Sequence, residues 1–124
     1  MEKIQTPNAP KPAGHYSQAI VHNGLVYVAG QVSIDPKTGE KRLESIEVQT
    51  EQTLKNVSEV LKAAGSDLSR VLKMTVYISD ANYWDAVNKV YAKVLGDHRP
   101  ARAIIPVGDL GEGFKIEIEA IATL

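Results

Sequence analysis

Arg99 to Ala122, RPARAIIPVGDLGEGFKIEIEAIA, reads as two strands joined by a glycine-rich loop. Ala101 to Pro106 is apolar apart from Arg102. Lys115 to Ala122 alternates strictly, which places Phe114, Ile116, Ile118, Ala120 and Ala122 on one face and Lys115, Glu117, Glu119 and Ile121 on the other. One cation and two carboxylates therefore sit in the most apolar part of the chain. A strand that only filled a core would not carry them. The polar face is either solvated or lines a site.

Working outward, the next landmark is Asn23-Gly24, flanked by Ser17–His22 and Leu25–Val32. This pair predicts a hairpin with a type I′ turn, which needs φ > 0 at both central residues. A two-residue loop pairs His22 with Leu25, Ile20 with Tyr27, Gln18 with Ala29 and Tyr16 with Gln31. Ala19, Val21, Val26, Val28 and Val32 then form a wholly apolar face that should meet helices. Tyr16, Gln18, Ile20, Tyr27, Ala29 and Gln31 form a mixed one.

Between these β units, Ser45 is placed to cap a helix with a stripe of Thr50, Leu54, Val57, Leu61 and Ala64, ended by Gly65. Val71–Ile78 predicts a strand with Leu72, Met74, Val76 and Ile78 on one face. Ser79 or Asp80 should cap a second helix, buried through Tyr83, Val87, Val90, Tyr91 and Val94 and ended by Gly96. Thr6 to Pro12, with three prolines, reads as an extended arm.

The order is β-β-α-β-α-β-β in a single domain, residues 1–124. Two such helices can cover one face of a sheet, so the fold class expected is α+β, a two-layer sandwich with a mixed sheet and both helices on one side. The uncovered face would carry Tyr16, Ile20, Tyr27, Thr75, Tyr77, Arg102, Ile104, Glu117 and Ile121. It is too apolar for bulk water and too charged for a sealed core. It should meet another subunit.

Composition narrows the chemistry. The 124 residues carry a net charge of −1 and no cysteine. Nothing points to a nucleic-acid or membrane surface, and thiol nucleophiles and cysteine metal sites are excluded. His15, His22 and His98 have no metal-ligand spacing; His22 and His98 read as surface loop residues. Gly108–Gly113 lacks the Lys-Ser or Lys-Thr of a phosphate loop. Met1–Pro12 has no apolar core of a secretory signal, and a cytoplasmic location is expected.

Several stretches together carry a family pattern: Gly14-His15-Tyr16-Ser17-Gln18, Ala29-Gly30-Gln31, Asp35-Pro36-Lys37-Thr38-Gly39, Ala63-Ala64-Gly65, Lys73-Met74-Thr75-Val76-Tyr77, Val87-Asn88-Lys89-Val90-Tyr91, Pro100-Ala101-Arg102 and Ile116 to Ala122. In this order the chain resembles the Rid family of reactive-intermediate deaminases, also called YjgF or L-PSP proteins. The resemblance implies a chorismate-mutase-like fold, a homotrimer with sites between subunits, and no metal or cofactor. It implies hydrolysis of 2-imino acids or their enamine tautomers to 2-keto acids and ammonia. Arg102 matches the carboxylate anchor and Glu117 the residue that positions or activates water. Tyr16 and Asn88 match cleft-lining positions, and Gly30 a backbone contact near the ligand. Three positions depart from the usual pattern: Ala29 replaces a Ser, His15 a Pro, and Ile104 a Cys or other small residue.

Each assignment has a plainer alternative. Arg102 can instead be a structural ion-pair partner of Glu117 or Glu119, Tyr16 a cross-strand packing residue, and Asn88 a polar residue on a helix flank. At the level of function, the alternatives are a non-enzymatic trimer that binds small carboxylates or regulates a partner, and RNA cleavage, against which the charge balance argues.

Overall fold

The Asn23-Gly24 pair does turn the chain. In a computed structural model describing residues 1–124, φ is 51° at Asn23 and 76° at Gly24. The flanking strands, β2 (Ala19–His22) and β3 (Leu25–Gln31), pair with His22 opposite Leu25 and Ile20 opposite Tyr27. Beyond Ala19 the expected ladder stops. Ala29 N still donates to Gln18 O at 2.9 Å, but Tyr16 lies in a local turn, its N–H donating to Gly14 O at 3.1 Å. It does not pair with Gln31.

A short strand precedes the hairpin. β1 (Glu2–Ile4) pairs antiparallel with β2, where the sequence showed only a polar terminus. Gln18 fixes the arm that follows. Its amide Nε2 donates to Thr6 O and Pro10 O, both at 3.0 Å, and its Oε1 accepts from Thr6 N at 2.7 Å. Gln18 is therefore buried (1% exposed) rather than part of an open mixed face.

α1 (Ile46–Ala63) is capped as expected, with Ser45 Oγ accepting from Val48 N at 3.1 Å. β4 is Val71–Ile78. Asp80 caps a 3₁₀ turn, Ala81–Tyr83, and α2 (Trp84–Leu95) follows without a side-chain cap. The buried stripe of α2 is Val87, Tyr91 and Leu95, whereas Val94 is exposed. The stripe steps by four, so the last turn presents Leu95 in place of Val94. β5 (Ala101–Pro106) and β6 (Ile116–Thr123) complete the chain.

The six strands form one mixed sheet in the order β1-β2-β3-β6-β4-β5, with β4 and β5 parallel and the other pairs antiparallel. Both helices cover one face, giving the two-layer α+β sandwich. Leu54, Val57, Val60 and Leu61 of α1 share a core with Val26, Met74, Val76, Ile116 and Ile118 of the sheet.

Two irregularities change which side chains face which way. Between Val28 and Gln31, β3 spends three steps where β6 spends two: Val28 faces Ala120 and Gln31 faces Ile118. The bulge turns Gln31 toward the helices (4% exposed), correcting its expected place on the mixed face. A second shift between Val71 and Lys73 leaves Val71 buried and pushes Leu72 out to 49% exposure. Two buried amides on α1 secure the strand ends near the first bulge. Gln49 accepts from Lys115 N at 2.8 Å, and Asn56 donates to Val32 O and Ile34 O at 2.9 Å.

No helix is long and apolar enough to cross a membrane.

Candidate functional site

The parallel register of β5 on β4 decides where Arg102 points. Arg102 pairs with Met74 and Ile104 with Val76. Met74 and Val76 are fully buried under the helices. Arg102 and Ile104 therefore project to the helix-covered side, not to the open face expected for them. Ala103 and Ile105, opposite Thr75 and Tyr77, take the open side.

On the helix side, α2 builds a seat for the Arg102 guanidinium. Trp84, Asn88 and Tyr91 fall at i, i+4 and i+7, one stripe of the helix. Arg102 Nη1 donates to Asn88 Oδ1 at 2.9 Å. Its Cζ lies 4.8 Å from the Tyr91 ring centroid and 5.6 Å from that of Trp84. Cation–π attraction to two rings and one amide fix the fork while leaving most of its donors uncommitted. The four ion pairs of the chain join other residues, so Arg102 has no carboxylate partner within it. Tyr91 is buried, its hydroxyl has no partner, and burial pushes its acidity down.

A cleft of ≈ 510 Å³ opens beside this seat between α2 and the start of β5. His98 forms part of its wall; its Nε2 lies 2.7 Å from Val71 O and ties the loop to β4. His98 does lie in a loop, as expected, and this contact fixes its ring there.

The open side carries the second group of residues. Glu117 pairs with Tyr77 and Glu119 with Thr75. Tyr77 Oη donates to Glu119 Oε1 at 2.7 Å. Glu117 lies across the backbone of Gly30 at the bulge: a Cβ there would stand 3.0 Å from the Glu117 carboxyl carbon, and closer still to Oε2. Only glycine leaves that space. Burial, then the nearby charge of Glu119, raises the pKa of Glu117 above the ordinary carboxylate value. A carboxylate so placed is a stronger proton acceptor than a free one.

The structure thus gathers the named residues into two groups within one chain. Arg102, Asn88 and Ile104 stand on the helix side at the β5 edge. Glu117, Gly30 and Ala29 stand on the open side. Tyr16 joins neither through a hydrogen bond; it is half exposed, and its hydroxyl accepts from Ala13 N at 3.2 Å. The aromatic seat of Arg102 was missed from sequence. Tyr91 is a core residue, as its place in the stripe of α2 predicts, and also stacks on Arg102; the 84–88–91 spacing around Asn88 contains the signal. No three His, Asp or Glu side chains are arranged as a metal ligand set.

Residues 6–124 match the family described as Endoribonuclease L-PSP. The chain is 49% identical over 121 residues to a RutC family protein of Pyrococcus horikoshii, covering 98% of this chain and 96% of that protein. It is 40% identical to the human 2-iminobutanoate/2-iminopropanoate deaminase over 96% of this chain and 87% of the human one. The crystal structure of RidA from an Antarctic Psychrobacter superposes with a TM-score of 0.96 at 37% identity, covering all of both chains. Relatives of this kind include named imine deaminases, which supports an enzymatic role at the level of the family. With its fold, its order of motifs and nearly its whole length matched, this chain belongs to the L-PSP/Rid family.

Proposed function

We propose that the protein hydrolyses small 2-imino acids, or their enamine tautomers, to 2-keto acids and ammonia, without metal or cofactor. The observation that carries this reading is the Arg102 seat: a guanidinium held by Asn88 and two rings, with no carboxylate of its own. A fork with free parallel donors fits a substrate carboxylate. A structural ion pair would have used them.

Arg102 and Glu117 project from opposite sides of one sheet, so a single chain does not bring them to one small ligand. The reading therefore includes a homotrimer with sites at its seams, Arg102 from one subunit meeting Glu117 of the next. The open face supports this, because Tyr27 and Ile105 leave apolar surface beside Glu117 and Glu119 that a second subunit would cover.

In the step itself, Arg102 holds the carboxylate and orients C2 of the imine. A water oxygen bonds to C2 while its proton passes to the Glu117 carboxylate. Glu117 passes that proton to the nitrogen, giving the tetrahedral carbinolamine. The carboxylate then takes the hydroxyl proton as the C2=O bond forms and hands it to the nitrogen as the C–N bond breaks. Both water protons thus leave with ammonia, and C2 becomes the keto carbon. Imines hydrolyse unaided in water, so positioning and one matched charge supply enough. Ala29 presents no hydroxyl near the bulge, and Ile104, on the same side of β5 as Arg102, packs against the core.

The test is ammonia release from 2-iminobutanoate and 2-iminopropanoate generated in situ, comparing wild type with Arg102→Ala and Arg102→Lys. Arg102→Ala should lose roughly 3–5 kcal/mol in kcat/KM, by analogy with truncated buried charge pairs, and Arg102→Lys should retain part of the activity. A folded Arg102→Ala protein with wild-type activity removes Arg102 from the site. A wild-type protein that binds 2-oxobutanoate without accelerating ammonia release is a carboxylate-binding module instead.

A further inference from the structure

Beyond the single carboxylate that the proposed reaction requires, the cleft beside Arg102 has positive charge to spare. Arg99 and Arg102 both line it, together with His98 and Asn88, and no Asp or Glu contributes to its wall. Neither guanidinium takes part in an ion pair. In a chain whose net charge is −1, two unpaired guanidiniums on one cleft are a local excess that a ligand can neutralise. The wall is also firm. Arg102 is seated on α2, His98 is tied to Val71 O, and Tyr91 contributes a buried side chain whose hydroxyl is unpartnered. At ≈ 510 Å³ the cleft holds more than the ethyl or methyl tail of the simplest imino acids.

We infer that the cleft is a side-chain subsite for a second anionic group, with Arg99 as its specificity residue, so that the preferred substrates are 2-imino dicarboxylates. This rests on Arg102 as the anchor of the first carboxylate. The substrate tail then runs along the start of β5 toward Arg99, which meets its terminal carboxylate through a charge-assisted contact. An uncharged tail leaves Arg99 solvated and gains nothing.

Two measurements test it. The first is kcat/KM for 2-iminosuccinate and 2-iminobutanoate, each made in situ by an amino-acid oxidase. The ratio should favour 2-iminosuccinate in the wild type, fall by about tenfold or more in Arg99→Ala, and be largely kept in Arg99→Lys. A ratio that Arg99→Ala does not move overturns the subsite. The second is calorimetric titration with succinate, butanoate and inorganic phosphate, none of which can react. Wild type should bind succinate best, and Arg99→Ala should lose that preference. Equal binding of succinate and butanoate overturns the subsite even if imine hydrolysis is intact. Tighter binding of phosphate than of succinate overturns the dicarboxylate assignment and makes the cleft a phosphate site. A succinate preference that depends on Arg99, in a protein that hydrolyses neither imine, upholds the anion subsite and removes the deaminase reading alone.

Discussion

A single absent methyl group governs the open side of the sheet. Gly30 has no positive φ to explain it; its reason is the Glu117 side chain lying over its backbone. Gly30→Ala should therefore leave the melting temperature nearly unchanged, because the displaced atoms are the free end of a flexible side chain. It should lower kcat/KM for imine hydrolysis by about 10- to 100-fold, the scale of a catalytic group moved by about 1 Å. A normal rate would separate Glu117 from the reaction. Glu117 itself should trade stability for activity. Its pKa is raised by burial and by Glu119, so the folded state binds its proton more tightly than the unfolded chain. That contribution is complete below the unfolded carboxylate value, about 4.3, and is lost as pH rises through the raised folded value. Glu117→Gln, which never ionises, should melt with the wild type in acid and above it at neutral pH. Melting curves at both pH values check this, and equal curves at neutral pH would deny the strain.

At the scale of the elements, the Asn23-Gly24 hairpin can be tested by itself. A Cβ at Gly24 meets nothing within 4 Å, so Gly24→Val probes the backbone alone. It should cost on the order of 1–2 kcal/mol for a β-branched residue at positive φ, seen as a lower melting temperature. An unchanged transition would mean that the turn relaxes freely. This hairpin, β4, β6 and α1 were legible because their signals are local: turn chemistry, alternation and a capped stripe. The direction of Arg102 was not. Ala101–Pro106 is nearly continuous apolar sequence, whose side chains acquire a face only from the register against β4, and a slip of one residue inverts it. The two bulges were hidden for the same reason. Nothing in Val71-Leu72-Lys73 marks an extra residue, and at Ala29-Gly30-Gln31 the glycine was the only hint. The residue types of the candidate site were thus readable, but their grouping was not. A sheet register and a helix stripe had to be combined before Arg102 could be seen to sit with Trp84, Asn88 and Tyr91, apart from Glu117.

For the whole molecule, the half of the sheet without helices sets the expectation. Tyr27, Ile105 and the two glutamates lie on a face that one chain leaves uncovered, and β5 ends the sheet with an unpaired edge. Sedimentation equilibrium at micromolar concentration should give about three times the chain mass, with closed rotational symmetry. A stable monomer would remove the seam sites, and the proposed mechanism with them.

The opposed directions of Arg102 and Glu117 have a genetic consequence. On the seam arrangement, each site takes its anchor and its base from different copies of the same polypeptide. Arg102→Ala and Glu117→Ala then spoil different contributions, and each dead protein still carries what the other lacks. Unfolded together and refolded as mixed trimers, they should recover about a quarter of the wild-type sites, since one seam in four pairs an intact arginine with an intact glutamate. Two alleles of one gene would thus complement each other, as lesions in separate genes do.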